Sequence, residues 1–196
     1  MQHSDVATVD ERGARLLTAA QARVVTAALD LFARHGVGGT SLQMIADEIG
    51  VTKAAVYHQY RTKDEIVLAA AESELRRLEA VVEVAESEPS HARARDSLIS
   101  GIVDLAVDRG RSASTILSDP VIIGFFADHD EFRDVMQRLR RIVVGDDAAP
   151  EARVRTAMLI AAVSGAVMHP FVADLDDDLV RAELLRLARR FLALPA

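Results

Sequence analysis

Apolar residues along this chain recur at intervals of three and four positions, which is the spacing of one helix face. The first predicted helix spans about residues 19–34, and its inward face holds Val25, Ala28, Leu29 and Phe32. Three segments in the first third also begin with a threonine that is followed three positions later by Gln or Glu, the pattern of a capping box. These pairs are Thr18 with Gln21, Thr40 with Gln43, and Thr62 with Glu65.

Two short helices follow the first one, and very few residues separate them. The pattern predicts one helix over about residues 41–49 and the next over about 53–60, with Gly50 between them. Two short helices joined by a turn that contains glycine form a helix-turn-helix unit. Thr52 is expected to cap the second of these helices. The positions of that helix that are predicted to face inward are Val56 and Tyr60.

The rest of the chain has the same helical spacing and almost no strand signal, so the fold class is predicted to be all-α. One segment, residues 156–173, carries no formal charge and reaches the lower length limit of a membrane-spanning helix. His169 and Pro170 near its end favour a buried helix in a bundle, and no membrane association is expected. The helices are predicted over about 62–86, 91–108, 112–117, from 120, over 131–144 and 150–170, and from about 178.

Composition narrows the function classes. Half of the residues are hydrophobic and 27% are charged, which is typical of a folded protein. The absence of cysteine excludes disulfide scaffolds, thiolate metal sites and cysteine nucleophiles, and it fits a reducing compartment such as the cytoplasm. The net charge is −7, yet residues 11–65 hold seven bases and six acids while residues 66–196 are strongly acidic. This asymmetry weakly favours a polyanion as the partner of the first third.

The two lysines and two tyrosines of the chain all lie between residues 50 and 65. Ala54 and Ala55 on the predicted third helix are small enough for close approach to base edges, and hydroxyl, amine and imidazole donors surround them. Each of these polar residues alone could belong to a solvated face. Their joint occurrence on one short capped helix favours a helix that enters the major groove of DNA.

The segment TSLQMIADEIGVTKAAVYHQYRTKDEIVLAA, residues 40–70, resembles the DNA-binding region of the tetracycline-repressor (TetR) family. The resemblance implies an all-α chain of nine or ten helices that forms a homodimer on a near-palindromic operator. It also implies a helix-turn-helix DNA-binding domain over residues 14–66 and a helical ligand-binding and dimerisation domain over residues 67–196. Such a protein would be a ligand-responsive regulator, a repressor rather than an enzyme.

The resemblance also assigns roles to single residues. Because Ala54 and Ala55 carry no side-chain hydrogen-bonding group, base recognition would depend on thymine methyl contacts, two polar residues and DNA shape. The residues implied to face bases are Gln43, Lys53 and Ala55. The residues implied to contact phosphates are Thr40, Thr52, Tyr57, His58 and Lys63.

The last two helices are predicted to form the dimer interface as half of a four-helix bundle. Apolar residues of the final helix recur at alternating spacings of four and three, the pattern of a coiled-coil seam. The alternative is that both helices pack within one subunit. The interface candidates are Ala157, Ala161, Gly165, Met168, Val180, Leu184, Leu187 and Phe191.

The ligand pocket is the least defined element. Its candidates recur at helical spacing and could equally be plain core, and the lack of tryptophan and tyrosine among them suggests a mainly apolar effector. His129 between Asp128 and Asp130 leaves a small helical enzyme open, and a DNA binder without an effector is a third possibility. No metal or other cofactor is expected, because no second histidine stands at ligand spacing. The pocket candidates are Ile102, Leu105, Leu117, Phe125, Phe126, Phe132 and Met136.

Overall fold

The computed structural model of the chain describes residues 17–109, 129–145 and 149–192. Every regular element in these ranges is helical, which confirms the predicted all-α class. They contain eight α-helices and one 3₁₀ turn, slightly fewer helices than the nine or ten expected for the whole chain. The helices are α1 (Ala19–Gly39), α2 (Leu42–Glu48), α3 (Lys53–Gln59), α4 (Lys63–Glu86), α5 (His91–Arg109), α6 (Asp130–Val144), α7 (Pro150–Ala166) and α8 (Asp177–Phe191), and the 3₁₀ turn is Pro170–Val172.

The chain divides into two compact units, and the division falls inside α4. The first unit, called the head below, extends to Glu72, and the second, called the body, begins at Ser73. The boundary predicted from the sequence lies earlier in the same helix, between residues 66 and 67. The predicted elements at 112–117 and from 120 lie outside the described residues.

The first helix begins at the predicted capping box. The Gln21 backbone N–H donates to Thr18 Oγ1 at 3.2 Å, and the Thr18 N–H donates to Gln21 Oε1 at 3.0 Å. The inward face packs into the head, where Leu29 and Phe32 are almost fully buried. Gly36 breaks the regular helix with a φ of 72°, a conformation that glycine adopts without steric cost.

The second helix starts one residue later than predicted, and the capping box of Thr40 with Gln43 is wrong. Ser41 is the N-cap, because its Oγ accepts from the Met44 N–H at 3.2 Å. Thr40 is instead buried, and its hydroxyl donates to the Gly36 carbonyl oxygen at 2.9 Å. The broken end of α1 thus takes Thr40 inward and leaves the adjacent serine to cap α2.

In the body, α8 runs antiparallel to α5 and packs against it and α7. Their shared core includes Ile99 and Val103 of α5, Leu159 of α7, and Ala188 and Leu192 at the end of α8. Each fully buried valine, leucine or isoleucine side chain contributes about 1.5–3 kcal/mol relative to an exposed one. The predicted capping of α8 is confirmed, since Asp176 accepts from the Asp178 N–H at 2.9 Å.

Arginines join the helices of the body through carboxylates. Arg189 of α8 bonds both oxygens of Asp96 on α5, with Nε–Oδ1 and Nη2–Oδ2 distances of 2.7 and 2.9 Å. Arg138 of α6 bonds both oxygens of Glu86 on α4, at 3.1 and 2.7 Å, and reaches Glu79 at 3.3 Å. The hydrogen bond from Arg138 holds the pKa of the Glu86 carboxyl below its usual value of 4.5.

The uncharged segment 156–173 is divided between α7 and the turn that follows it. Helix α7 ends at Ala166, and Pro170 begins the 3₁₀ turn after His169. Within the described residues, no helix has the length and apolar content needed to cross a membrane.

Candidate nucleic-acid interface

The start of helix α3 is fixed by its own sequence. Thr52 caps it, because the Thr52 Oγ1 accepts from the Ala55 N–H at 3.2 Å. Gly50 in the turn before it has a φ of 68°, which favours glycine over other residues. Val56 and Tyr60 are buried at 1% and 6% exposure, as predicted, so one face of α3 is anchored in the head.

The opposite face of α3 is exposed. Lys53, Ala54, Ala55, Tyr57 and His58 all lie on the surface, and Tyr57 keeps 51% of its accessible area. In the part of the chain that the structure describes, the side chains of the lysine, tyrosine and histidine have no hydrogen-bond or ion-pair partner. This face therefore presents two small residues flanked by unused donors.

Lys63 at the start of α4 is less exposed than the α3 residues. Its Nζ donates to the Val37 carbonyl oxygen at 2.7 Å, which ties the first turn of α4 to the end of α1. An ammonium group has three donors, so two remain for a further acceptor. The Thr62 cap of α4 is present, with Glu65 N–H to Thr62 Oγ1 at 3.1 Å, but the Glu65 carboxylate accepts from the Arg61 N–H rather than from Thr62.

Two further residues of the predicted site lie on or beside α2 and differ in exposure. Thr40 is 3% exposed and its hydroxyl hydrogen is used within the head, so its side chain is not placed to donate to phosphate. Gln43 is exposed, and its Nε2 donates to Asp47 Oδ1 at 2.8 Å on the next turn of α2.

Hydrogen bonds to α1 position α2 and the turn. Arg23 Nη2 donates to the Ile49 carbonyl oxygen at 3.2 Å, just before the turn glycine. Arg34 Nη2 meets Glu48 Oε1 at 2.7 Å. These contacts link α1 to the end of α2 and thereby orient the turn from which α3 starts.

Arg61 is a functional candidate that the sequence analysis missed. It is exposed between α3 and α4, and its side chain has no acidic partner among the described residues. The sequence feature that could have identified Arg61 is local charge, because residues 49–63 contain Lys53, Arg61 and Lys63 and no acid. The exposed side of the head around α3 is therefore cationic, although the head as a whole is not.

Comparison with known proteins shows what the head is similar to. Residues 24–70 match the family model described as bacterial regulatory proteins, tetR family, a range that includes all of α2 and α3. The head of the chain is therefore similar to the DNA-binding region of the tetR family. The curated relative YerO of Bacillus subtilis (strain 168), an uncharacterized HTH-type transcriptional regulator, is 36% identical over 50 residues. That alignment spans 26% of this chain and 17% of the length of YerO.

Solved structures of TetR-family regulators resemble the chain over most of its length. The regulator PfmR from Thermus thermophilus has a TM-score of 0.63 at 20% identity, over 86% of this chain and 97% of that one. A TetR-like regulator from Rhodococcus sp. RHA1 has a TM-score of 0.66 at 20% identity, over 91% and 99%. At such identity the likeness establishes the fold, and it extends the TetR-family fold to the body.

The predicted dimer residues fall into two groups. Val180 is 9% exposed and Leu184 is partly buried, and both pack inside the subunit, so the proposed seam does not lie on one outward face. Leu187 and Phe191 are exposed. On α7 the small residues of the predicted stripe are mostly exposed as well; these are Ala157, Ala161 and Gly165, with Met168 partly buried beyond the helix.

The pocket candidates are only partly described. Ile102 packs against the core of α5, α7 and α8, while Leu105, Phe132 and Met136 are half-buried. His129 is the N-cap residue of α6 but makes no side-chain capping bond. No three His, Asp or Glu side chains within the described ranges form a group that could hold a metal ion. The candidates outside the described residues are Leu117, Phe125 and Phe126.

Proposed function

We propose that the chain is a ligand-responsive transcriptional repressor of the bacterial cytoplasm that binds a near-palindromic operator as a homodimer. The observation that carries the DNA-binding part is the exposed face of α3, where small residues stand between donors that have no partner among the described residues. The opposite face is fixed by Val56 and Tyr60, so a helix docked in the major groove would be held rigidly.

The residues proposed to contact DNA divide into two classes. Thr52, Tyr57, His58 and Lys63 would donate to phosphate oxygens, with Arg61 as an addition, and they would fix the orientation of the head. Thr40 is left out of this set because its hydroxyl is buried and bonded. Gln43, Lys53 and Ala55 would face base edges, the first two through hydrogen bonds and the alanine through contact with a thymine methyl group.

Selection of bound duplexes from a random DNA pool tests this proposal most directly. We expect a selected sequence with two-fold symmetry and half-sites about one helical turn apart. Lys53→Ala should change the preferred bases, whereas Tyr57→Phe should weaken binding to all sequences alike. Absence of duplex binding by the wild type at low salt would contradict the proposal.

The homodimer is supported by the exposed apolar residues of α7 and α8. Val154 and Met158 are 60% and 58% exposed one turn apart on α7, and Leu187 and Phe191 are 51% and 43% exposed one turn apart on α8. Adjacent exposed apolar side chains of this size are typical of association surfaces. A second copy of the chain would cover them and place two heads on one operator.

Ligand response would arise in the body. An effector that binds one conformation better than another lowers DNA affinity by its differential affinity alone. The half-buried side chains of Leu105, Phe132 and Met136 are the described residues proposed to contact a mainly apolar effector. A thermal-shift screen of apolar compounds tests this part, since a ligand that binds the folded chain raises its melting temperature. If no compound that shifts the melting temperature also changes operator affinity, the chain is a DNA binder without an effector.

A further inference from the structure

Gln43 and Asp47 form a pair one turn apart on the exposed side of α2, with Nε2 donating to Oδ1 at 2.8 Å. An ionised carboxylate accepts hydrogen bonds and donates none, so it fixes which end of the glutamine amide faces it. The nitrogen of Gln43 must turn toward Asp47. Its carbonyl oxygen Oε1 and its second N–H then remain available to another molecule.

Asp47 is not explained by charge pairing or by helix capping. Among the described residues it has no cationic partner, whereas its neighbour Glu48 is paired with Arg34 at 2.7 Å. The end of α2 is bonded through the backbone of Asp47, since the Gly50 N–H donates to the Asp47 carbonyl oxygen at 3.2 Å. A surface that approaches a polyanion loses affinity through an uncompensated carboxylate. Within the described ranges, the contact that this carboxylate makes is the one to Gln43.

We propose that Asp47 is a positioning residue for base recognition, which holds the Gln43 amide so that one acceptor and one donor face the major groove. This inference rests on the proposed DNA-binding function. Adenine offers the matching acceptor N7 and donor N6–H₂ on its major-groove edge. The base selected opposite Gln43 is therefore adenine.

The pair acts by ordering Gln43 before DNA arrives. A free glutamine loses rotamer freedom when it binds a base, and this loss weakens the contact. A glutamine already bonded to Asp47 has lost part of that freedom in the unbound protein. Removal of the carboxylate should consequently have two opposite effects: weaker discrimination at one base pair, and tighter binding to unrelated DNA because a negative charge is gone.

The experiment compares full-length wild type and variants by selection from a random duplex pool and by anisotropy titration. Gln43→Ala first identifies the operator position that Gln43 reads. Asp47→Ala should lower the preference for adenine at that same position by roughly two- to ten-fold, the change expected from ordering one flexible side chain on binding. Affinity for an unrelated duplex should rise by about two-fold or more at low salt. Asp47→Glu, which restores a carboxylate within reach, should recover the preference.

Asp64→Asn is the matched control, since Asp64 is an exposed carboxylate in the first turn of α4. Its replacement removes one negative charge from the head without touching the Gln43 contact or the Arg34–Glu48 pair. It should change affinity for all sequences alike and leave the preference intact. Circular dichroism and melting temperatures equal to wild type verify that each variant is folded. The inference is overturned if Asp47→Ala leaves the adenine preference unchanged, if Asp64→Asn lowers it equally, or if Gln43→Ala alters no position although the wild type binds a defined operator. No binding of any duplex by the wild type would overturn the proposed function itself.

Discussion

The α3 side of the head and the helix junctions of the body differ in whether their cationic side chains have acidic partners. In the head, Lys53, His58 and Arg61 are exposed, and none of their side chains has an acidic partner among the described residues. In the body, Arg138 bonds three carboxylate-bearing residues and Arg181 does the same across α5 and α8. These two arginines thus hold helices of the body together, whereas the cations on the α3 side of the head stay available to an outside anion.

Large exposed apolar side chains, in contrast, lie mainly in the body. Val154, Met158, Leu187 and Phe191 are all exposed in the body. Among the described residues of the head, Tyr57 is the one large hydrophobic residue that is exposed, and its ring carries a polar hydroxyl group. The contrast indicates different partners: a polyanion for the head and an apolar surface for the body.

The largest expected effect comes from placing a charge on the apolar surface of the body. Met158→Glu should convert the proposed dimer into a monomer in sedimentation velocity, because a carboxylate would be buried in the interface. Operator affinity should then fall by about 100-fold or more, since two linked heads bind far more tightly than one.

Val84→Glu is the control for this prediction. Val84 is 59% exposed and lies on α4 rather than on α7 or α8, so its variant should remain dimeric. If wild type and Met158→Glu sediment alike, the surface on α7 is not the dimer interface.

The second effect concerns stability and compares one arginine from each unit. The Arg138 side chain is 17% exposed and lies close to several carboxylates. The Arg34 side chain is 52% exposed and pairs with one carboxylate, that of Glu48. Arg138→Gln should lower the free energy of unfolding by about 1–2 kcal/mol, because it removes charge-assisted bonds between α4 and α6 and leaves acids close together. Arg34→Gln should cost less than about 1 kcal/mol. Urea denaturation measures both, and equal losses would contradict the contrast.

The third effect concerns the salt dependence of DNA binding. Arg61→Ala should lower the slope of log affinity against log salt concentration by about 1, as expected when one phosphate contact is lost. Arg140 on α6 is also exposed, but it belongs to the body, so Arg140→Ala should leave the slope unchanged. A slope that falls equally in both variants would show that the charge contrast between the units does not govern DNA binding.

The smallest effect is a pH dependence in the body. Because the pKa of Glu86 is lowered by its bond with Arg138, the bond stabilises the folded state above the usual value of 4.5, and this stability is lost as the pH falls through the lower folded value. Glu86→Gln has no carboxylate to protonate, so its unfolding free energy should fall less steeply with acidification than that of wild type. The effect is small because Glu86 is 36% exposed. If the unfolding free energies of wild type and Glu86→Gln fall in parallel as the pH is lowered, Glu86 does not contribute to the pH dependence.

The helices of the head could be predicted well, because the residues that cap them are close together in the sequence. Thr18 and Gln21, three positions apart, form the predicted box, and Thr52 caps α3 as expected. The choice between Thr40 and Ser41 could not be made in the same way. Both residues can cap a helix, and the break at Gly36 decides which of them turns inward.

Contacts between distant parts of the chain escaped prediction. The bond from Lys63 to the Val37 carbonyl joins residues 26 positions apart, and no local pattern reports it. In α8, the buried Val180 and the partly buried Leu184 recur at the same spacing as the exposed Leu187 and Phe191. The predicted seam therefore combined residues that face the core of the subunit with residues that face solvent. Arg61 was overlooked because a single arginine in a loop has no periodicity.

The bond between Lys63 and Val37 gives the protein a built-in chemical reporter. Both lysines of the chain lie in the head, and they differ in exposure, with Lys53 open to solvent and the Lys63 amine engaged at 2.7 Å. An amine-reactive reagent will therefore acylate Lys53 quickly and Lys63 slowly. Bound DNA would shield Lys53, so the loss of its fast acylation, followed by mass spectrometry, would report the occupancy of the head without any engineered label.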